Sequence, residues 1–544
     1  MKTKKFLTGA GLGGLITAPL ISLLYLTYRL IDLSFPPFAV FNAMSQLLPG
    51  PVITFGIDAM ISTLRLLGLD VAGTAKIAEQ LMAVIMFWVG GAVFGGILTV
   101  IFNQTRWKAS LQFGLLAGLG LGIPASFLSL TADPTGSSFL LYTLILTVLF
   151  LGWGLLLSYS IGRLVPGTAV QPAAEENRED ASVERLNRRQ FLVTLGAGTA
   201  TITVAGAGLG QLLTRTAPSP AGTPSPEQVA LGPEGEPFPN AGDPVQPVPG
   251  TRPEYTPVDD HYKVFIELTP ENIQEENWTL PVTGLVDNEL DLTLQAIREN
   301  YPARSEYITL NCISGRIPTT LISTTYWTGV SVQKILDAAG VQDEAQYLFI
   351  ESADGYYEIV SLDLIYSDPR IMFCYSWDGE PLPKDHGFPL RIWIPDRFGM
   401  KQPKWITSLE LRETYQAGYW VERGWDKEAL VKARSVVDTV AVEESYPEGG
   451  QQLIPFGGIA FAGARGISKV EVRIDGGDWL EADLRSPLSE TTWVIWRYDW
   501  PFQEGEHTFA VRCFDGNGEM QILEESSARP DGATGLHSVT RNIS

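Results

Sequence analysis

His386-Gly-Phe-Pro-Leu-Arg391-Ile-Trp-Ile-Pro-Asp-Arg-Phe-Gly399-Met-Lys401-Gln402-Pro403-Lys404-Trp405 sits in the second half of a 544-residue chain. Its centre, 390–395, is a short apolar run that predicts a strand, and a glycine-bearing turn lies on either side. His386, Arg391, Lys401 and Lys404 therefore collect around those turns. Cationic side chains beside open turn amides suit an anion such as a phosphate. Solvated loop charge accounts for the composition equally well.

Upstream, Asn311-Cys312-Ile-Ser-Gly-Arg316 follows the strand-like 307–310. A cysteine at a strand end, entering a glycine-containing loop, is placed to be a ligand or a nucleophile. A lone cysteine is also a small apolar residue that packs well when buried. Cys374 and Cys513 lie inside apolar or alternating runs and read as packing residues. Around these segments, 263–268, 278–284 and 347–351 read as strands, and 331–340 has helical spacing with a glycine stop. The pattern is that of a mixed α+β domain running to about residue 430. Beyond it, 469–474, 492–497 and 507–514 are short alternating strands, with Asp-Gly turns after the first and the third. They predict an all-β sandwich with room for about seven strands.

The first half differs in kind. The chain has a net charge of −22, yet only 18% of its residues are charged, and these are almost absent before residue 165. Neither a wholly soluble enzyme nor a wholly intramembrane protein fits that distribution. A nucleic-acid partner is excluded, because phosphate neutralisation needs clustered Lys and Arg. Three widely spaced cysteines make neither a disulfide framework nor a CxxC zinc site. Runs at 7–31, 80–102, 110–130 and 139–162 approach or exceed the ~20 apolar residues that cross a bilayer. The run at 7–31 does not read as a cleaved signal peptide, since several such runs follow it. Lys2, Lys4, Lys5, Arg106, Lys108, Arg163, Arg185, Arg188 and Arg189 mark the cytoplasmic side. Asp133 stands in a loop without bases. This charge pattern predicts that 38–69 is a re-entrant or interfacial hairpin broken at Pro49-Gly50-Pro51. The other reading is an ordinary span with an outside N-terminus. The glycine strings at 9–14 and 196–210 lie inside apolar helices, so they read as close-packing surfaces and not as dinucleotide loops. No His precedes His261, so a bis-His haem is not expected in the helical part.

Asn187-Arg188-Arg189-Gln-Phe191-Leu192 precedes an apolar stretch to Leu213. It resembles a twin-arginine export signal, and it also reads as the basic flank of one more membrane helix. Both readings put the rest of the chain outside. Residues 214–257 are rich in Pro, Gly, Ser and Glu and predict an extended tether.

Taken in order, NCISG, WTGVSV, HGFPLRIWIPDRFGMKQPKW, GYWVERGW and IAFAGARGISKVEVRIDGGDW resemble the sulfite oxidase family of molybdopterin-dependent oxidoreductases over roughly 255–544. The resemblance implies a membrane helix bundle joined to an α+β molybdopterin-binding domain and an immunoglobulin-like β-sandwich of dimerisation type. The boundaries are 1–165 for membrane helices and 166–213 for the cytoplasmic segment, motif and final helix. The linker is 214–257, the molybdopterin domain 258–432 and the sandwich 433–544. By resemblance Cys312 is the molybdenum ligand, and a soft thiolate suits such a centre. His386, Arg391, Lys401, Gln402, Pro403 and Lys404 carry over as cofactor contacts, with Ser352 and Tyr262 as further ones. The usual Asn-Arg pair after the ligand is missing. Arg316 stands out of register for it, and Trp425 falls near the family's substrate tyrosine. A catalytic role for Arg316 and Trp425 therefore implies a substrate less charged than sulfite. The expected protein is a multi-pass, membrane-anchored molybdenum oxidoreductase with its catalytic domain outside the cytoplasm. It would move an oxygen atom to or from a small molecule and exchange electrons with a quinone, a cytochrome or another redox partner. A homodimer through the last domain is implied. The rival expectation is a tethered binding or adhesion protein that kept the fold without the cofactor.

Overall fold

The computed structural model describes residues 2–31, 34–48, 50–67, 71–104, 110–132, 139–164, 180–214 and 232–544. The chain divides into two compact units, Met1–Ala221 and Gly222–Ser544. Arg106, Lys108 and Asp133 lie outside the described residues, as do the side chains of Lys2, Arg185, Arg188 and Arg189.

The first unit is helical. Among the described residues, five helical stretches are long and apolar enough to cross a membrane: Thr3–Leu30, Lys76–Ile101, Leu111–Ser129, Leu140–Leu164 and Gln190–Leu209. Between the first two lie Pro36–Leu47 and Gly50–Leu66, helices of 12 and 17 residues. Both are shorter than the ~20 residues of a typical span, and they are separated where the Pro49-Gly50-Pro51 break was expected. Glycine sets the packing of helix Lys2–Ile31 on helix Val71–Gln104. A methyl group on Gly13 would lie 2.6 Å from the Gly91 carbonyl, so the two backbones touch there. Gly11 faces open space. Trp88 Nε1 donates to the Gly14 carbonyl at 2.8 Å, and Trp153 Nε1 to Thr17 Oγ1 at 3.0 Å. The string at 9–14 is thus a helix-packing surface. In the later string Gly206 meets Ser22, whereas Gly196, Gly198 and Gly208 meet nothing.

The described residues of the second unit form four sheets. One has the order Leu290–Leu292, Leu280–Gly284, Ile406–Arg412, Tyr347–Ser352, Tyr357–Ser361. Only its Leu280–Gly284/Ile406–Arg412 pair is parallel. The next joins Ala303–Asn311, Ile322–Ser331, Met372–Trp377 and Glu380–Pro381, with Arg391–Trp393 added on Met372–Trp377. The amphipathic helix Val332–Ala339 buries Val332, Ile335, Leu336 and Ala339. Gly340 ends it at φ 69°, in the left-handed conformation that suits glycine. These elements share one apolar core that includes Leu280, Val330, Ile335, Ile350 and Leu409.

Two antiparallel sheets follow. The first is built on Arg434–Val440, Gln451–Phe461 and Val494–Pro501, the second on Ile467–Ile474, Gly505–Asp515 and His537–Ile543. Val437, Phe456 and Trp496 of the first share a core with Val472, Phe509 and Cys513 of the second.

Two local expectations change. Residues 263–268 form no strand, because the Val264 carbonyl accepts from Lys404 Nζ at 3.1 Å and takes no place in a ladder. Residues 232–257 are not a free tether. Val248 is buried, Arg252 pairs with Asp438 at 2.6 Å, and Arg485 pairs with Glu254 at 3.1 Å. Composition hid this, because a few charged and apolar anchors suffice to lay a proline-rich segment along a folded surface.

Candidate active site

Strand Ala303–Asn311 ends where the chain must turn back to Ile322–Ser331, and Cys312 is the first residue of that turn. Its amide donates to the Leu321 carbonyl at 3.0 Å, and Asn311 Nδ2 donates to the same oxygen at 2.9 Å. The backbone of the loop is thereby held at both edges. Cys312 Sγ lies 3.1 Å from Ser314 Oγ. Burial pushes the thiol up, while Ser314, Arg434 and Lys404 pull it back toward thiolate. Cys374 and Cys513 are pushed up to about 12 by burial. They sit in apolar cores, as expected of packing residues.

Four aromatic rings and a guanidinium form a box nearby. The Arg391 Cζ stands 4.6 Å from the Trp327 ring centre and 5.3 Å from that of Trp377. Arg391 also donates from Nη1 to the His386 carbonyl at 3.0 Å. The His386 and His261 rings each centre 4.6 Å from Trp377 and 5.0 Å from one another. Burial lowers Arg391 to about 10, pushes His261 down to about 3 and drives His386 lower still. Both imidazoles are therefore neutral at pH 7. His261 Nδ1 faces the Tyr262 carbonyl at 3.1 Å and must be the protonated nitrogen, since a carbonyl only accepts.

Lys404 is threaded past Gly387, where a methyl group would come within 2.9 Å of the Lys404 Cβ. Its Nζ donates to the carbonyls of Asp385 and Val264 and sits 4.4 Å from the Trp405 ring centre. Gln402 Nε2 donates to the carbonyls of Arg397 and Ile394. The Pro403 carbonyl accepts from the Ile392 amide, so it serves the backbone. Lys401 points away into a buried ion pair with Glu358 at 2.6 Å. The Tyr262 amide donates to Ser323 Oγ, and burial holds its phenol well above the ordinary range. Arg316 is exposed. Trp425 packs with Trp420 against the cluster that contains Ile313, and the Arg529 Cζ lies 4.9 Å from its ring centre.

His386, Arg391 and Lys404 are thus brought together, with Cys312 and Tyr262 within electrostatic reach of that group. Lys401 and Arg316 are turned to other partners or to solvent. Sequence reasoning passed over His261 and Arg434. His261 carried a signal, being one of four histidines and adjacent to Tyr262. Arg434 looked like any charge at the start of a strand. Several buried polar atoms here have no partner: Nε2 of His261 and His386, Nε of Arg391, Oε1 of Gln402, Oγ of Ser352 and Oδ1 of Asn311. Native interiors leave few such atoms, and this concentration is what a polar ligand rich in donors and acceptors would satisfy. Among the described residues no three His, Cys, Asp or Glu side chains converge on one metal position.

Comparison with known proteins gives the same direction. The family described as oxidoreductase molybdopterin binding domain matches residues 267–420. An uncharacterized oxidoreductase of Bacillus subtilis, YuiH, is 28% identical over 148 residues, which is 27% of this chain and 72% of that protein. Inducible nitrate reductase [NADH] 2 of Glycine max is 26% identical over 321 residues, 48% of this chain and 36% of the relative. The mitochondrial sulfite oxidase of Homo sapiens is 24% identical over 286 residues, 44% and 52% respectively. The chain therefore spans about a third to a half of these two enzymes. The crystal structure of the sulfane dehydrogenase SoxCD from Paracoccus pantotrophus aligns with a TM-score of 0.46 and 19% identity, over 55% of this chain and 84% of that one. Residues 267–420 thus match an oxidoreductase molybdopterin binding domain, in a chain that also contains apolar helices of membrane-spanning length.

Proposed function

We propose that this protein is a membrane-anchored molybdenum-dependent oxidoreductase of sulfite oxidase type, acting on a small substrate outside the cytoplasm. The observation that carries the reading is the concentration of partnerless buried donors and acceptors around His386 and Arg391, beside a cysteine flanked by Ser314 and cations. Cys312 would supply the soft protein ligand, and Arg391, Lys404 and the imidazoles would hold the anionic and heterocyclic parts of the cofactor. When bound, the molybdenum centre supplies two-electron oxygen-atom transfer.

The chain's own residues do the rest. The Leu321 carbonyl accepts from the Cys312 amide and from the Asn311 side chain, so the thiol is presented in one place. The neutral state of His261 and His386 leaves lone pairs for N–H donors, which a protonated ring could not offer. Trp420 and Trp425 limit access and exclude water. Electrons would leave to a quinone or a redox protein partner, with the helical unit keeping the site at the membrane. On this reading the two C-terminal sheets form an immunoglobulin-like sandwich suited to homodimer contact, and the Arg188-Arg189 pair directs twin-arginine export. Metal and pterin analysis of the purified full chain tests the proposal. About one molybdenum and one pterin per chain support it, and their absence favours a tethered binding protein.

A further inference from the structure

Arg252 belongs to the segment 232–257, which composition marks as a linker, and it precedes residues 267–420 that the family model matches. The segment is nevertheless seated at defined points. Gly457, in the middle of strand Gln451–Phe461, leaves room for Val248, since a methyl group there would come within 3.0 Å of Val248 Cγ2. Gly250, at φ +91°, turns the chain against Thr439, where a side chain would lie 2.8 Å from Thr439 Oγ1. Beyond Arg252, the Thr256 amide donates to the Thr324 carbonyl at 2.7 Å, and the Thr324 amide donates to Thr256 Oγ1 at 3.1 Å. Arg252 stands between these fixed points.

Its guanidinium bridges two parts of the fold. Nε and Nη2 donate to the Asp438 carboxylate, Nη2 at 2.6 Å, and the Arg252 amide donates to the same group at 3.2 Å. Asp438 is the extra residue of a bulge in strand Arg434–Val440, for Val437 faces Gly458 and Thr439 faces Gly457. A bulge takes a residue out of the ladder and re-aims its side chain, here onto the fork. Nη1 is left to donate to the Thr319 carbonyl at 2.9 Å. Thr319 is buried in the turn 312–321. Its Oγ1 accepts from the Leu321 amide at 3.0 Å, and the Leu321 carbonyl accepts from the Cys312 amide at 3.0 Å. Three hydrogen bonds therefore lead from Arg252 to the backbone of Cys312. We propose that Arg252 is a positioning residue for Cys312, locking the turn that presents the thiol to strand Arg434–Val440. A rigid planar fork can hold a carboxylate and a carbonyl at one fixed angle. A brace for the segment alone would need the carboxylate and not the Thr319 bond. The inference rests on the reading of Cys312 as the metal ligand.

The test follows alkylation of the three cysteines by iodoacetamide in the full chain in detergent, made without cofactor so that Cys312 is uncapped, with mass spectrometry to separate the sites. Cys374 and Cys513 are 0% exposed in apolar cores and report opening of the whole unit, whereas Cys312, 8% exposed, reports opening of its turn. Arg252→Met should react about tenfold faster at Cys312, the scale of one charge-assisted hydrogen bond lost from a local opening. Cys374 and Cys513 should keep their wild-type rates. Asp438→Asn leaves the Thr319 bond but weakens the clamp on the fork, and should give a rise of about threefold at Cys312 alone. If Arg252→Met yields no folded protein, Asp438→Asn decides by the same criterion. A wild-type rate at Cys312 overturns the inference. So does a parallel rise at all three cysteines, which would make Arg252 a brace for the unit as a whole. In the molybdenum-loaded protein, the Mo(V) electron paramagnetic resonance signal of Arg252→Met should shift at unchanged pterin content. Selective alkylation with an unmoved signal counts against Cys312 as the ligand, and so against the proposed function, while the positioning of its turn by Arg252 stands.

Discussion

In the helical unit, the polar groups at the packed Gly13–Thr17 face find partners within the bundle: Trp88 reaches the Gly14 carbonyl, Trp153 reaches Thr17, and Thr17 bonds back to the Gly13 carbonyl. In the region around Cys312 and Arg391, buried nitrogens and oxygens are left open. Backbone contact and full pairing are what a packing surface needs. Unpaired buried polar atoms cost stability and are kept where a ligand repays the cost. The contrast separates a scaffold from a site by chemistry, without reference to any relative.

The largest expected effect breaks the site at Cys312, the metal ligand of the proposed function. Cys312→Ser exchanges a soft thiolate for a hydroxyl that stays protonated. Pterin should remain, because Arg391, Lys404 and His386 are untouched. Turnover should fall by well over the roughly 10–100-fold that loss of a supporting group around a metal costs. Steady-state assay beside a pterin measurement checks it, and full activity in Cys312→Ser would remove Cys312 from the site.

Lys404→Met sharpens the same region. A charge-assisted hydrogen bond contributes about 1.5–3 kcal/mol, so cofactor retention should weaken by roughly 10–100-fold. Lys401→Met makes the control, since its ammonium is held by Glu358 and not by the group around Arg391. It should lower stability through the orphaned carboxylate while leaving pterin affinity of folded protein near the wild-type value. Pterin content against melting temperature distinguishes the two variants.

How much of this was legible in the sequence depends on whether a signal is local. The glycine stop at Gly340, the alternation of 469–474 and the length of the apolar runs are local, and each element formed where the pattern placed it. His386, Arg391 and Lys404 were legible because they stand in one motif on two turns. Lys401 shares that motif but turns to Glu358, a partner distant in sequence that no spacing rule shows. The strand expected at 263–268 failed for a related reason, as alternation says nothing about a lysine arriving from residue 404 to take a carbonyl.

The helical side of the comparison can be broken by one methyl group. Gly13→Ala would set a carbon against the Gly91 backbone, which cannot swing aside as a side chain can. Overpacking of this kind costs about 1–3 kcal/mol. Gly11→Ala, two residues away and facing open space, should change stability by no more than about 0.5 kcal/mol. Thermal melting of the full chain in detergent compares them, and equal losses would mean that Gly13 is not at a backbone contact.

Acid should act on the region that holds the buried histidines. The helical stretches contain no histidine, so between pH 7 and pH 5 they have no group of that kind to titrate. His261 is held down to about 3 by burial, against the ordinary value near 6.5 in the unfolded chain. As pH falls below about 6.5, the unfolded chain gains a proton that the folded chain refuses. The unfolded state then binds more protons, so stability declines with falling pH at up to about 1.4 kcal/mol per pH unit for this ring. The loss continues until the folded value near 3 is reached. His386, depressed in the same direction, adds to the slope. His261→Phe keeps an aromatic ring beside Trp377 and removes the proton, so its stability should fall less steeply between pH 6.5 and pH 5. Melting temperatures across that range would show the flattening. Parallel curves for the variant and the wild type would mean that the His261 ring is protonated in the folded protein, and would place it in water rather than in the box around Arg391.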